Sequence, residues 1–221
     1  MRMHRKSRLD ERISACGDIV KVANLSDKNM KRAALTPEYL PFNDIFGNDN
    51  PVCLEVGCGK GKFVCEMAAK NPQVNYVACE KISNVLIEAL EMAKKEGLKN
   101  VYFLNCAAEV LEKYFERGSV ERVYLNFSNP LPKEGYKKQR LTHPRFLSIY
   151  GGLLKNGGQI IQKTDDENFY AFSLESYKEI GFDVVYTCED YKNPDEDDAE
   201  TEHERHFKDM GKRIYRIKVV V

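Results

Sequence analysis

The sequence predicts a three-layer, Rossmann-like α/β domain, a mostly parallel seven-stranded sheet with an antiparallel edge strand and helices on both faces. Three observations predict it. From Pro51 onward, short apolar runs alternate with longer amphipathic stretches, the pattern of repeated βα units. The first run ends in a glycine-rich turn, Glu55-Val56-Gly57-Cys58-Gly59-Lys60-Gly61, that leads straight into a helical stretch. The last two runs follow one another across a polar loop and a short helix, which suits an antiparallel edge pair.

Taken in order, the strand-like runs are 52–56, 74–79, 101–104, 122–127, 158–163, 182–187 and 213–221. Helices are expected near 62–70, 83–96, 108–116, 143–155, 167–180 and 201–210. The second has Val85, Leu86, Ala89, Leu90 and Ala93 at helical spacing, with Gly97 as its stop. Residues 1–50 lack clear periodicity and are punctuated at Thr36-Pro37 and Pro41. They read as a basic N-terminal arm and lead-in with at most one short helix, and 51–221 as the domain proper. Residues 189–200, dense in charge and poor in apolar side chains, are expected to form a mobile loop.

Composition narrows the function classes. With 221 residues, 43% of them apolar, the chain can bury one sizeable core, yet no apolar run reaches the roughly 18–20 residues of a membrane span. Arg2, Arg5, Lys6 and Arg8 are followed by no apolar segment, so a secretory signal is not expected. Seven cysteines without a CxxC pair read as free thiols of a reducing cytoplasm, and no metal site is expected, His203 and His206 included. Formal net charge is zero, but the charge is segregated. Lys133, Lys137, Lys138, Arg140, His143 and Arg145 crowd one stretch, while nine carboxylates and one lysine, Lys192, occupy 189–204. Such segregation points to a polyanionic partner.

Glycines let a backbone turn sharply at a strand end and approach a ligand closely. Glu55 lies just before Gly57, and the pattern through Gly59 and Gly61 is GxGxG. A pyrophosphate avoids a neighbouring carboxylate, whereas a cofactor carrying an ammonium and a sulfonium favours one. The turn therefore favours S-adenosylmethionine over a dinucleotide, with a glycine turn that serves packing alone left open. Glu80, at the end of the second run, suits a carboxylate on ribose hydroxyls. After the fourth run, Asn126-Phe127-Ser128-Asn129-Pro130-Leu131-Pro132-Lys133 is a proline-restricted loop over the same crevice, where a methyl acceptor should sit.

Over nearly its whole length the chain resembles the bacterial tRNA (guanine-N7)-methyltransferase family. The matches are MRMHRK, FGNDNP (46–51), EVGCGKG (55–61), YLNFSNPLPK (124–133), KKQRLTHPRFL (137–147), KTD (163–165), TEHE (201–204) and GKRIYRIKV (211–219). The resemblance implies the S-adenosylmethionine-dependent version of the fold and methylation of N7 of a guanosine, in the variable loop of tRNA, by a cytoplasmic monomer or homodimer. Carried over by residue, it implies cofactor contacts at Glu55, Gly57, Gly59, Gly61, Glu80, Ala107 and Asn129. It implies substrate contacts at Lys133, Asp165, Thr201, Glu202, His203 and Glu204, and a catalytic role at Asn129. There are departures. The family's SDPWP reads Ser128-Asn129-Pro130-Leu131-Pro132 here, so Asn129 replaces the Asp and Leu131 the Trp, and Ala107 stands where the family has an Asp.

Guanine N7 has a free lone pair and no proton, so the implied reaction needs alignment more than a general base. Losing the charge at 129 implies a rate about ten- to a hundred-fold lower. Two further readings stay open: a homologue that binds cofactor and tRNA but transfers poorly, and a methyltransferase of small molecules.

Overall fold

The computed structural model describes residues 4–23, 36–192 and 198–221. Eight strands form one sheet: β1 (Val20–Val22), β2 (Val52–Val56), β3 (Asn75–Cys79), β4 (Val101–Asn105), β5 (Val120–Asn126), β6 (Leu154–Thr164), β7 (Asp183–Cys188) and β8 (Tyr215–Val220). Their spatial order is β1-β4-β3-β2-β5-β6-β8-β7. All neighbours are parallel except the pairs that β8 makes with β6 and β7. The antiparallel pairing thus lies at the expected edge, with β8 one place in from the rim.

Among the described residues the helices are α1 (Leu9–Ser14), α2 (Phe42–Phe46), α3 (Lys62–Lys70), α4 (Ser83–Glu96), α5 (Leu111–Tyr114), α6 (Pro144–Leu153), α7 (Glu167–Glu179) and α8 (Glu202–Asp209). Period-two alternation sends Leu54, Val56, Val77 and Leu125 to one face of the sheet, where Leu111, Phe146, Tyr150 and Tyr177 cover them. Cys53, Tyr76, Ala78 and Phe103 point to the other face, under Phe63, Met67, Leu86 and Leu90. The result is the three-layer architecture read from the sequence, with one strand more than the seven expected.

That strand is β1. It pairs in parallel with β4, Val20 opposite Phe103, and the Ile19 carbonyl accepts the Phe103 amide at 2.8 Å. Leu9 and Ile13 of α1 are buried in the core that also holds Leu86 and Leu90 of α4. So part of the 1–50 lead-in is built into the domain instead of hanging from it. Three residues are too few for a periodicity to show. The stretch expected as a helix over 108–116 is a 3-10 turn at Ala108–Val110 followed by the short α5.

Strand order reverses beside β2: the chain runs outward through β3 and β4 on one side and through β5 and β6 on the other. This reversal opens a crevice beyond the carboxyl ends of the central strands. The turn after β2 enters it with Gly57, Gly59 and Gly61 at φ 82°, 57° and 80°. Gly61 has a second duty, because a Cβ there would lie 2.9 Å from the Cα of Ala89 and closer still to its Cβ. The absence of a side chain is what lets α3 start against α4.

Gly61→Ala is expected to cost roughly 2–4 kcal/mol, overpacking and left-handed strain combined. Gly59→Ala, with nothing within 4 Å of the added atom, should cost about 1–2 kcal/mol. Urea unfolding of the two variants checks the order; equal losses would remove the packing role of Gly61.

Candidate active site

The crevice has two lobes that share Gly57 and Phe127. The first, about 390 Å³, is walled by Glu55, the glycine turn, Asn126 and the Thr201, Glu202, His203 and His206 side of α8. The second, about 420 Å³, is walled by Glu80, Ala108, Glu109, Ser128, Asn129 and Leu131. Phe127, at φ 49°, stands between them. Its amide donates to the Lys163 carbonyl at 2.8 Å, which holds this unusual backbone in place.

Glu55 is the last residue but one of the all-buried β2 and is 3% exposed. Asn126 Nδ2 donates to its Oε1 at 3.0 Å, while Oε2 has no hydrogen-bond partner among the described residues. Burial pushes its carboxyl up to about 7, against the opposing hydrogen bond from Asn126 and the nearby charge of Lys163. Asn126 Oδ1 and Ser128 Oγ are likewise buried with no partner among the described residues. Three unsatisfied polar atoms on neighbouring residues of the crevice lining are costly unless a ligand completes them. They include two acceptors and a carboxylate, so a ligand with a cationic N–H group fits.

Glu80 is fixed differently. Its Oε1 accepts the Ile82 amide at 2.8 Å and its Oε2 the Gly59 amide at 3.3 Å. This presents a preoriented carboxylate to the second lobe. Ala107 does not reach the lobe's lining, which its neighbours Ala108 and Glu109 form, and Glu109 is paired with Arg145 at 2.9 Å. Asn129 is exposed at the rim, and its Oδ1 accepts the Leu131 amide at 3.1 Å. Leu131, at φ 44°, also has its carbonyl clamped by Arg140 Nε and Nη2 at 3.3 and 3.2 Å.

The structure redistributes the remaining expected roles. Thr201, Glu202 and His203 line the first lobe, but Glu204 is fully buried and turned inward, away from it. The Thr-x-x-Glu spelling is that of a helix N-cap, and Thr201 Oγ1 does accept the Glu204 amide at 2.9 Å. Lys133 is exposed beside the 3-10 turn Glu134–Gln139, and Asp165, at the end of β6, is paired with Lys212 at 2.8 Å. Arg140 stacks on Phe172, 4.5 Å from the ring centroid, so its first duty is to staple the loop. Arg5, Lys6 and Arg8 pair with Asp10, Glu88 and Glu11, which docks the N-terminus on α1 and α4; Arg2 lies outside the described residues. The 189–200 stretch is not wholly loose: Tyr191, Asp198 and Ala199 are buried, while 193–197 fall outside the described residues. Among the described residues no group of three or more His, Cys, Asp and Glu could hold a metal ion. All seven cysteines are free, and no helix among the described residues is long and apolar enough to cross a membrane.

Sequence reading placed Asn126 and Phe127 in the loop over the crevice and Lys163 in a family match, but gave no role of their own to these three or to Asp198. A lysine inside a buried strand run was the one available signal, for Lys163.

Comparisons with known proteins agree with this geometry. Residues 49–217 match a family described as putative methyltransferases. The tRNA (guanine-N(7)-)-methyltransferase of Bacillus subtilis (strain 168) is 39% identical over 220 residues, 99% of this chain and 98% of that protein. The enzyme of the same name from Geobacillus sp. (strain WCH70) is 42% identical over 179 residues, 80% of this chain and 81% of its own. The chain belongs to the tRNA (guanine-N7)-methyltransferase family. Among solved structures, an antibiotic-related methyltransferase superposes with a TM-score of 0.63 at 17% identity, covering 91% of this chain and 97% of that one. A 16S rRNA (adenine(1408)-N(1))-methyltransferase variant from Catenulisporales acidiphilia gives 0.56 at 14% identity, covering 90% and 92%. At such identities the likeness concerns the fold, which this family member shares with them.

Glu55 predicts a pH signature of the ligand-free protein. Its folded value, about 7, lies above the ordinary carboxylate value of 4.5. The folded state therefore holds the proton more tightly, and this group's contribution to stability falls as pH rises between those values, then levels off. Glu55→Gln should flatten that slope. Urea unfolding at about pH 5 and about pH 8 reads it; an unchanged slope in the variant would assign the dependence elsewhere.

Proposed function

We propose that this chain transfers a methyl group from S-adenosylmethionine to N7 of a guanosine in tRNA, most simply one in the variable loop. The observation that carries the reading is the buried, half-satisfied Glu55 carboxylate in a crevice one wall of which is the family's TEHE turn. When bound, S-adenosylmethionine supplies an electrophilic methyl group. Glu55, with the open acceptor of Asn126, would hold its ammonium; Glu80 would hold its ribose hydroxyls; the glycine turn leaves room for it.

The rest of the site acts by placement. Guanine N7 has no proton to remove, so no side chain need serve as a base. Phe127 and His203, their rings 6.1 Å apart and 18° from parallel, offer flat apolar surface at the mouth of the first lobe. Asn129 retains an acceptor at the rim without the family's charge, and Lys133, Lys137 and Lys138 are exposed along one loop for phosphates. Asp165, Thr201 and Glu202 sit at the same end of the sheet as candidate base contacts. Residues 51–221 carry the reaction, and the lead-in before them braces α4. A tRNA substrate and reduced thiols suit the cytoplasm, with the protein acting as a monomer or homodimer.

Methyl transfer from labelled S-adenosylmethionine to bulk tRNA, followed by nucleoside analysis, is expected to yield 7-methylguanosine. Retention of tRNA without that product would assign a binding role, and no affinity for tRNA would assign a small acceptor. Asn129→Asp should raise turnover about tenfold or more, because a charged acceptor is worth more than a neutral one; no gain would remove Asn129 from the chemistry. Neutralising Lys133, Lys137 and Lys138 together should reduce the salt dependence of tRNA affinity, by about one unit of logarithmic slope for each lysine that meets a phosphate. Filter-binding at several salt concentrations reads this, and an unchanged slope would exclude the loop from phosphate binding.

A further inference from the structure

Lys163 belongs to none of the walls of the crevice, yet it touches what builds two of them. It lies in β6, opposite Asn126 of β5 and Arg216 of β8, and is fully buried. Its Nζ donates to Asp198 Oδ1 at 3.0 Å, Asp198 Oδ2 at 3.2 Å, the Ala199 carbonyl at 2.9 Å and Glu204 Oε2 at 2.7 Å. An ammonium has three protons, so this set saturates it. Asp198 also accepts the Tyr191 hydroxyl at 3.0 Å and pairs with Arg216 at 3.5 Å, and Glu204 Oε1 takes Lys208 at 2.7 Å. Two buried cations thus face two buried carboxylates, with Lys208 at the margin.

Buried ion pairs are poor devices for stability alone, since well-packed apolar residues of similar volume often serve equally well. Their directional bonds fix geometry instead. Here the geometry has a target. The Lys163 side chain fixes Asp198–Glu204 and so the first turn of α8, which carries His203. The Lys163 carbonyl holds the amide of Phe127 at 2.8 Å. One residue therefore sets both rings that face each other at the mouth of the first lobe, one through its backbone and one through its side chain.

We propose that Lys163 is a positioning residue, which sets the Phe127–His203 ring pair against which the methyl acceptor docks, and that Glu204 acts through Lys163 instead of touching the substrate. This rests on the function proposed above. Asp198, fully buried and absent from the crevice lining, then matters to turnover as Glu204 does.

The test is a double-mutant cycle with the isosteric changes Asp198→Asn and Glu204→Gln in the full chain. Each retains an acceptor for Lys163, and Tyr191→Phe, which removes one bond to Asp198, replaces Asp198→Asn if that variant does not fold. Each single change is expected to lower kcat for tRNA about tenfold, with the affinity for S-adenosylhomocysteine kept within about threefold by calorimetry. The double variant should lose much less than the product of the two single losses, because both act on one ammonium. Multiplicative losses, an unchanged kcat for Asp198→Asn, or a loss confined to KM would each overturn the proposal. An independent readout needs no turnover: the His203 imidazole resonance should shift in Glu204→Gln and in Asp198→Asn alike. A wild-type protein that makes no 7-methylguanosine would sink the assigned reaction while leaving that resonance test intact; an unmoved resonance would sink the positioning role alone.

Discussion

A lysine whose charge is wholly withdrawn from water organises the active end of this molecule. The Lys163 ammonium must be met by carboxylates at close range, since an isolated buried charge would cost several kcal/mol. Meeting that demand draws Asp198 and Glu204 in from a stretch of chain dominated by carboxylates, which solvation would otherwise keep at the surface. Thr201, Glu202 and His203 then close as a wall of the crevice, and the first turn of α8, capped by Thr201, is aimed by the Lys163–Glu204 contact. Fold and site are coupled at this one residue.

The crevice itself shows the opposite treatment of charge. Glu55 is buried but left half satisfied, and its raised carboxyl records the energetic cost of that state. Glu80, a short distance away, is completed by two backbone amides. The two carboxylates suit different tasks: a strained acceptor rewards a cation that reaches it, while a prepaired one can still accept from neutral hydroxyls. A single cofactor that carries both an ammonium and a ribose would use both.

The loop that departs from the family's spelling is held by contacts of its own residues. With no indole at 131, Leu131 takes a left-handed backbone conformation braced from both sides, by Asn129 through its amide and by Arg140 through its carbonyl. Arg140 in turn rests on Phe172. The carboxamide of Asn129 is thus engaged in loop structure as well as offered at the rim, and Arg140 of the basic stretch is part of the scaffold beneath it.

Much of this was legible in the chain. The spans 62–70 and 83–96 stand where periodicity and the Gly97 stop put them, because amphipathic spacing and a left-handed cap are local properties. Glu55 beside a glycine turn pointed to a crevice at this strand end for the same reason, the relevant atoms being neighbours in sequence. The three-residue β1 was too short to carry a period, and its place beside β4 is a tertiary fact. Likewise, the family resemblance implied substrate contact for all four residues of TEHE. Only the fold decides that Glu204 turns inward, because its partner Lys163 lies 41 residues earlier and reaches it across the sheet. Sequence alone determined the longer strands and helices and which chemistry the turn favours. Tertiary structure decided which charges are buried together, because desolvation depends on what the rest of the chain packs around a group and not on its neighbours along the backbone.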